Sequence, residues 1–406
     1  MYQLVRIALR NVVRNRRRSL ITFFAVFLSL GIIVGLRGFL NGLHETVRQA
    51  VILGQTGALQ VHRKGFLKSV SAGLDLDVPA DDAFLDRITA VPGVKAAAAR
   101  INFGGMVNFG DTTAFAVMSA IDPVREPLVC PRRADLVSAG TSLPRSKADA
   151  GVLTPQLAAN VGVKLGQRAT LLTNDRDGVM NALEFDYIGA YGQPGLPLPD
   201  KKFGFVPLRF AEELLRMEGR ATEIAVAVDR LEDVDKIKPR LQAALGPEYE
   251  VSTWHDVASF VDDVIATQNF VLGLLAGIFL FVALLGIANT MLMSVFERTR
   301  EIGTMMAVGV KRREILAMFL IEAAAIGLAG GVLGAGAGLA FVLRYATRGI
   351  VLQIGTMTTP FYIYPTLGAG YIARVVALAA GGAALSALWP SFRASRLRPV
   401  EALTSV

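Results

Sequence analysis

The 406-residue chain is 52% hydrophobic and only 19% charged, with 40 glycines and a formal net charge of +8. This composition is too apolar for an ordinary soluble domain and points to a membrane protein whose apolar residues cluster. The basic residues flank the apolar runs rather than cover a polar face, so a nucleic-acid partner is not expected.

Residues 1–18 read as a cytoplasmic amphipathic basic helix. At about 100° per residue, Leu4, Val5, Ala8, Leu9 and Val12 gather on one side, and Arg6, Arg10, Arg14 and Arg17 gather opposite. Such a helix suits an anionic inner membrane surface, which makes membrane lipids a partner. Residues 19–41 are the first transmembrane helix. The run is longer than a signal-peptide core and no small-residue cleavage site follows it, so a retained helix is expected. Arg37 near its far end is placed to snorkel to the headgroups.

Residues 42–265 form a large polar insert. "GALQVHR" reads as a strand, and "DDAFLDRITAVPGV" as a helix with an acidic start and a Pro-Gly stop. "MVNFGDTTAFAVMSAI", "RATLLTN" and "LEFDYIGAYG" are rich in strand formers. "PLRFAEELLRM", "TEIAVAV", "VDKIKPRLQAAL" and "YEVSTW" then read as helix, strand, helix, strand. The order predicts an α+β insert with an α+β half next to the second span and a more β-rich half before it. Between the halves, "GQPGLPLPDKKFG" is a Pro/Gly loop whose Leu196 and Leu198 are candidate substrate or partner contacts. The single cysteine, Cys130, cannot close an internal disulfide, so the insert depends on its own core.

Residues 266–296 are the second transmembrane helix, 314–344 the third and 371–390 the fourth, with 345–370 an extracytoplasmic loop. Gly273 and Gly277 lie four apart in the second helix; Gly330, Gly334 and Gly338 make a doubled G-x-x-x-G ladder in the third. Such ladders let helix backbones approach closely, within the chain or across a dimer. Glu322 is an ionisable residue inside the third span; it reads as a structural partner for nearby arginines or as a coupling group. Between the second and third spans, residues 297–313 interleave both signs of charge. A helical reading pairs Glu297 with Arg300 and Arg298 with Glu301, and puts Ile302, Met305, Met306 and Gly309 on one side. That apolar, Met-bearing turn suits docking into a groove on a partner. Residues 391–406 are a basic cytoplasmic tail. The basic residues of the N-terminus, the 297–313 loop and the tail all fall on one side of a four-span layout. The positive-inside rule makes that side cytoplasmic, with both termini inside and the insert outside.

No G-x-x-x-x-G-K-[ST] phosphate loop occurs, the three histidines stand apart, and neither zincin nor nucleophile-elbow spacings are present. The sequence therefore predicts neither catalytic residues nor a metal site, and the scattered carboxylates of the insert read as solvated surface.

The segment "MSVFERTREIGTMMAVGVKRREILAMFLIEAAAIGLAGG" closely resembles the permease segment of the FtsX/MacB/Lol class of ABC transporters, and "WPSFRASRLRPVEAL" resembles its end. "YIGAYGQPGLPLPDKKFGFVPLRFAEELLRMEGRATEIAVAV" looks like a MacB-type periplasmic domain, with "VSTWHDVASFVDDVIATQN" its return to the membrane. The resemblance implies a multi-pass bacterial inner-membrane permease with a large periplasmic domain, not itself an enzyme. It implies a dimer with an identical or paralogous copy above two ABC ATPase subunits, and no cofactor bound by this chain, ATP-Mg sitting on the ATPase. By motif match, the ATPase-coupling role falls on Glu297, Arg298, Arg300, Glu301, Ile302, Gly303 and Met306. Such permeases act by mechanotransmission: ATP-driven closure travels along the first two helices and moves the outside domains.

Three branches then compete. MacB-type exporters carry a fused ATPase, and FtsX-type regulators have a smaller outside domain. The lipoprotein-releasing (LolC/LolE-type) branch matches best, including "GQTGALQVHRKGF" after the first span. The expectation is release of a lipoprotein or other lipid-linked substrate at the periplasmic face, with a lipoprotein, chaperone or adaptor as periplasmic partner. The alternatives are MacB-like efflux of drugs, toxins or peptides, and FtsX-like activation of a periplasmic partner.

Overall fold

The computed structural model describes residues 16–68, 74–192, 202–352 and 361–396, together with the helical positions Arg6 and Arg10. Most of the expected N-terminal amphipathic helix, the loop carrying Leu196 and Leu198, and the tail after Arg396 lie outside the described residues. The chain divides into two compact units. One comprises Met1–His44, Ile265–Ile350 and Ile363–Val406, and the other Glu45–Val264 with Val351–Tyr362.

The chain enters through α1 (Arg16–Val51), a 36-residue helix whose apolar window is long enough to cross a bilayer. A single π-turn, Ile52–Thr56, delivers it to β1 (Leu59–Arg63). There follow β2 (Val78–Pro79), α2 (Asp82–Thr89), β3 (Val94–Phe109) and β4 (Thr112–Ile121). Asp81 caps α2, its side chain accepting from the Phe84 N–H, and the helix buries Phe84, Leu85 and Ile88 at helical spacing. Gly110, at φ 58°, makes the two-residue turn of the β3–β4 hairpin, which runs in register from Arg100↔Ile121 to Phe109↔Thr112. Next come α3 (Glu126–Val129), β5 (Val137–Gly140), β6 (Ala150–Leu153), α4 (Pro155–Val161), β7 (Arg168–Asn174), β8 (Met180–Tyr191) and β9 (Phe203–Pro207). The insert ends with α5 (Leu208–Leu215), β10 (Arg220–Ala221), β11 (Glu223–Val228), α6 (Val234–Leu245), β12 (Tyr249–Thr253) and α7 (Trp254–Val257).

Among the described residues, the main sheet has ten strands in the order β12-β1-β11-β3-β4-β9-β6-β8-β5, with β7 bridging β3 and β8. The bridge matters, because the pairings β3–β4–β9–β6–β8–β7–β3 return to their start. The β-rich half is therefore a closed ring of six strands, which leaves those pairings without a free edge. Helix α5 packs on this ring, its Phe210 meeting the buried Phe185 edge-on at 6.3 Å.

β3 belongs to both halves, and its burial shows it. From Ala96 to Ile101 it pairs with β11 and β4 and alternates little, reading almost continuously buried; beyond Phe103, exposed and buried residues alternate. The α+β half is drawn from both ends of the insert. β1, directly after α1, lies between β11 and β12 near the insert's far end, with Leu59 opposite both Val226 and Thr253. Sequence order alone had placed β1 outside that half.

Besides most of α1, the helical unit contains α8 (Ser259–Glu297) from Ile265 onward, α9 (Thr299–Ala307), α10 (Arg312–Ala346) and α11 (Ala369–Ser395). Among the described residues, four helices are long and apolar enough to cross a membrane: the one beginning with α1, then α8, α10 and α11. In α10, Gly330, Gly334 and Gly338 lie against α1. A Cβ on Gly330 would sit 3.0 Å from Val26 Cβ, one on Gly338 2.7 Å from the Gly31 carbonyl oxygen, and one on Gly334 against the Phe27 carbonyl. On another side, a Cβ at Gly327 would meet α11 at Ala383. The glycine ladder thus joins helices of the same chain. Gly273 and Gly277 differ: among the described residues a Cβ at either meets nothing within 4 Å.

Candidate coupling site

The junction between α8 and α9 is tied to its surroundings by several charged contacts. Arg298 interrupts the helix with φ −112° and ψ 17°, and the chain restarts as α9. Its guanidinium is buried. Nε donates to Glu301 at 3.0 Å, one terminal nitrogen lies 3.6 Å from the Glu322 carboxylate in α10, and the group sits 5.8 Å from the Phe319 ring centre. Glu322 is only 3% exposed, so Arg298 supplies the opposite charge this buried carboxylate needs.

The expected Arg298–Glu301 pair is present, but Glu297 does not pair with Arg300. The break at Arg298 puts Glu297 on the end of α8, where it accepts from Arg18 of α1 at 2.9 Å. The apolar side of α9 is partly packed within the chain. Ile302 is fully buried and Gly303 is buried; Met305 and Met306 pack on the core formed by Ile315, Met318, Phe319 and Ala323. Within the expected stripe, Ile302 is taken up by the chain's own core and Met305 and Met306 are partly buried on it, while Gly309 is exposed. The solvent-facing positions are instead Glu297, Arg300, Thr304, Ala307 and Val308, the last 88% exposed. Of the motif positions, Arg298, Ile302, Gly303 and Met306 hold the short helix in place, and Glu297 and Arg300 face outward, with Glu301 half-buried between them.

Comparison with known sequences places the chain in a family. The MacB-like periplasmic core domain family matches residues 19–244, more than half of the chain, and the FtsX-like permease C-terminal family matches residues 273–399. The chain belongs to the FtsX/MacB-like ABC transporter permease family. It is 33% identical over 239 residues to a macrolide export ATP-binding/permease protein MacB of Azoarcus sp., covering 56% of this chain and 34% of that protein. It is 40% identical over 139 residues to a pyoverdine export ATP-binding/permease protein PvdT of Pseudomonas fluorescens, covering 34% of this chain and 19% of that protein. An uncharacterized ABC transporter permease of Methanocaldococcus jannaschii is 29% identical over 226 residues, with 54% of this chain and 55% of that protein covered. The chain thus spans about a third of the length of the MacB relative. The periplasmic region of MacB from Actinobacillus actinomycetemcomitans aligns over 54% of this chain and 98% of its own, with a TM-score of 0.36 and 11% identity.

In this FtsX/MacB-like chain, α1 and α8 carry polar ties toward both ends of their contact. Thr22 and Thr290 hydroxyls lie 2.6 Å apart near Arg18–Glu297; farther along, Arg37 donates to Asn269 at 2.6 Å, and His44 and Gln268 meet at 2.7 Å. Arg37 is therefore a helix-pairing residue as well as a flank, and it also stands over the Tyr371 ring.

The periplasmic-type domain holds a second polar constellation that sequence reading missed. Arg100 on β3 lies between Glu126 of α3, at 2.6 and 3.0 Å, and Glu223 of β11, at 2.9 Å, and donates to the Gln55 carbonyl at 2.7 Å. Arg133 pairs with Glu126 at 3.2 Å and also donates to the Gln55 carbonyl, at 2.6 Å. All four charged groups are buried, as are Asp77 and Asp175, each facing arginines. These carboxylates are not the solvated surface the sequence predicted. A lone charge between apolar residues gives no sign of its distant partner, and Arg100 and Glu223 meet only because β3 pairs with β11. Burial opposes the Glu126 carboxylate, but Arg100 and Arg133 outweigh it and hold its pKa below the ordinary value. Burial likewise opposes the Arg100 charge, and Glu126, Cys130 and Glu223 together more than offset it. Burial pushes the Cys130 thiol up, so it stays neutral, accepting from Arg100 at 3.1 Å.

Proposed function

We propose that this chain is a four-span inner-membrane permease, with both termini cytoplasmic and the insert periplasmic, that converts ATP hydrolysis by a separate ATPase into movement of its outside domain. The observation that carries this reading is the α8–α9–α10 junction. A short helix held by Ile302 and by the Arg298–Glu322 pair has little freedom to move alone, while Glu297, Arg300 and Val308 face outward. A push on that outer face would be passed to α8 and α10 together. Helices α8 and α1, of 39 and 36 residues, exceed the ~20 residues a bilayer needs, which supports transmission beyond the membrane. The open face at Gly273 and Gly277 supports close approach of a second permease copy. Two ATPase subunits per dimer would hold the ATP-Mg, and this chain would bind none.

The substrate in this proposal is a lipid-linked or amphipathic molecule taken from the periplasmic face, a lipoprotein being the favoured case from the segment after the first span. The activities by which relatives are named, macrolide and pyoverdine export, favour a second reading, efflux of a small molecule. Depletion of the chain separates them. Retention of outer-membrane lipoproteins in the inner membrane supports release. Normal lipoprotein sorting with increased sensitivity to an amphipathic compound supports efflux, and normal behaviour in both assays contradicts transport of either substrate.

A further inference from the structure

The helical unit contains a cleft of about 520 Å³ between α1, α8 and α11, a size usual for ligand pockets. Three polar side chains line it: Arg37 of α1, and Tyr371 and Arg374 one turn apart on α11. The Arg37 guanidinium stands 5.8 Å from the Tyr371 ring centre, which ties the α1 cation to the α11 pair. These groups are within reach of an occupant, since Arg374 is exposed and Arg37 and Tyr371 are half-buried. Arg37 gives one terminal nitrogen to Asn269. Its other N–H groups and the Tyr371 hydroxyl make no hydrogen bond among the described residues, and none of these atoms is enclosed by protein.

The rest of the lining is apolar, and all of it lies to one side of the arginines. Leu30 and Ile33 precede Arg37 on α1, Val375 and Leu378 follow Arg374 on α11, and Ala276, Gly277 and Leu280 follow Asn269 on α8. Arg18 and Arg37 lie ~28 Å apart along α1, as do Arg374 and Arg393 along α11, close to the roughly 30 Å of a hydrocarbon core. Arg18 and Arg393 both meet the last turn of α8, at Glu297 and Phe296. Arg37 and Arg374 therefore share the opposite boundary, at headgroup level, and the apolar lining runs inward from them.

Charge decides what fits. Among the described residues, Arg37 and Arg374 donate only to neutral groups, the Asn269 side chain and the Gly370 carbonyl, whereas Arg18 and Arg298 face carboxylates. An occupant that matches the site is anionic at the boundary and apolar inward. A phosphodiester offers two anionic oxygens, so the two guanidiniums need not meet at one point. A headgroup that also carried an ammonium would set a further cation beside them.

We propose that this cleft holds one anionic phospholipid of the leaflet next to the insert, its phosphate on Arg37, Arg374 and the Tyr371 hydroxyl, and an acyl chain along Ile33, Leu280 and Leu378. The site requires the helices to span a membrane and is independent of the ATPase and of the transported substrate. Gly277 also belongs to the face offered above to a second copy, and the test separates the two occupants.

The test uses the full chain in mild detergent and native mass spectrometry with dioleoyl lipids that differ only in headgroup. Phosphatidylglycerol should bind at one copy per chain, at least about fivefold more tightly than phosphatidylethanolamine. Dioleoylglycerol, which lacks the phosphate, should bind more weakly still, and excess glycerol 3-phosphate should not displace the lipid. Arg374→Gln gives up only the contact to the Gly370 carbonyl within the chain. It should weaken phosphatidylglycerol binding about tenfold, the worth of one charge-assisted hydrogen bond, with an unchanged melting temperature. Leu378→Trp, at the exposed rim, should weaken binding of phosphatidylglycerol and dioleoylglycerol alike. Arg348→Gln, which removes the same charge outside the cleft, should leave binding unchanged. Equal loss with Arg348→Gln, equal binding of phosphatidylethanolamine, displacement by glycerol 3-phosphate, or lipid carried by monomers and absent from dimers would each overturn the proposal, the last by assigning the cleft to a second copy.

Discussion

Arg100→Met removes the one cation that holds Glu126 and Glu223 together. The three side chains are 3%, 2% and 7% exposed, and the ion-pair contacts are 2.6 and 2.9 Å, so water cannot replace the lost charge without opening the β3–β11 pairing. Breaking a buried pair from one side costs about 3–5 kcal/mol. Two carboxylates are orphaned here, although Arg133 and Asn102 remain as partial partners, so about 4 kcal/mol is expected. For a domain of this size that corresponds to a loss of roughly 8–16 °C. Trp254, buried beside β12, reports the transition by fluorescence in a Trp389→Phe background, with the full chain held in peptidiscs. Adding Glu126→Gln should restore part of the loss by removing one orphaned charge. The pH dependence has a definite sign. The Glu126 pKa is lowered by folding, so its stabilising contribution is complete above the unfolded carboxyl value of about 4.3 and is lost as pH falls through the folded value. The difference between wild type and Arg100→Met should therefore be largest near neutrality and shrink in acid. A loss below about 1 kcal/mol, or no recovery with Glu126→Gln, would refute the reasoning.

Gly338→Leu and Gly334→Leu should destabilise the helical unit by about 1–3 kcal/mol, because the added side chains meet the α1 backbone, whereas Gly273→Leu should leave the melting point of the single chain unchanged within about 0.5 kcal/mol; equal effects at the three sites would contradict the packing. Ile302→Ala should cost about 2–4 kcal/mol in the same melt, since its side chain is fully buried. Val308→Asp, at an exposed position, should cost less than about 0.5 kcal/mol while reducing ATPase stimulation, and a melt in which Val308→Asp is the more damaging would reverse the roles given to the two faces of α9.

The regular elements were legible because their signals are local. The 3.6-residue spacing in Asp82–Thr89 and the strand-forming run in Glu223–Val228 stand in the sequence as they stand in the fold. The apolar runs announced the long helices in the same way. Closure of the β-ring was not legible, because it depends on β7 bridging β3 and β8, a set of partners that no single segment encodes. At the candidate coupling segment, the residue types were readable but the direction they face was not. Ile302 has the pattern of a docking residue, and only the packing of α9 on α10 reveals that its partner is its own chain. The Arg100 cluster was invisible for a related reason: it is assembled from residues widely separated in sequence, brought together by β3, α3 and β11.

The measurement that tests the account most directly is co-purification of the chain with an ABC ATPase from its native membrane, followed by ATP turnover of the complex. The account predicts that an ATPase is recovered in equal stoichiometry with the permease, and that Arg300→Glu with Val308→Asp abolishes its recovery or stimulation while the permease remains folded in the membrane. Recovery of the same ATPase with undiminished stimulation by that double variant, or no ATPase recovered with the wild-type chain, would contradict it.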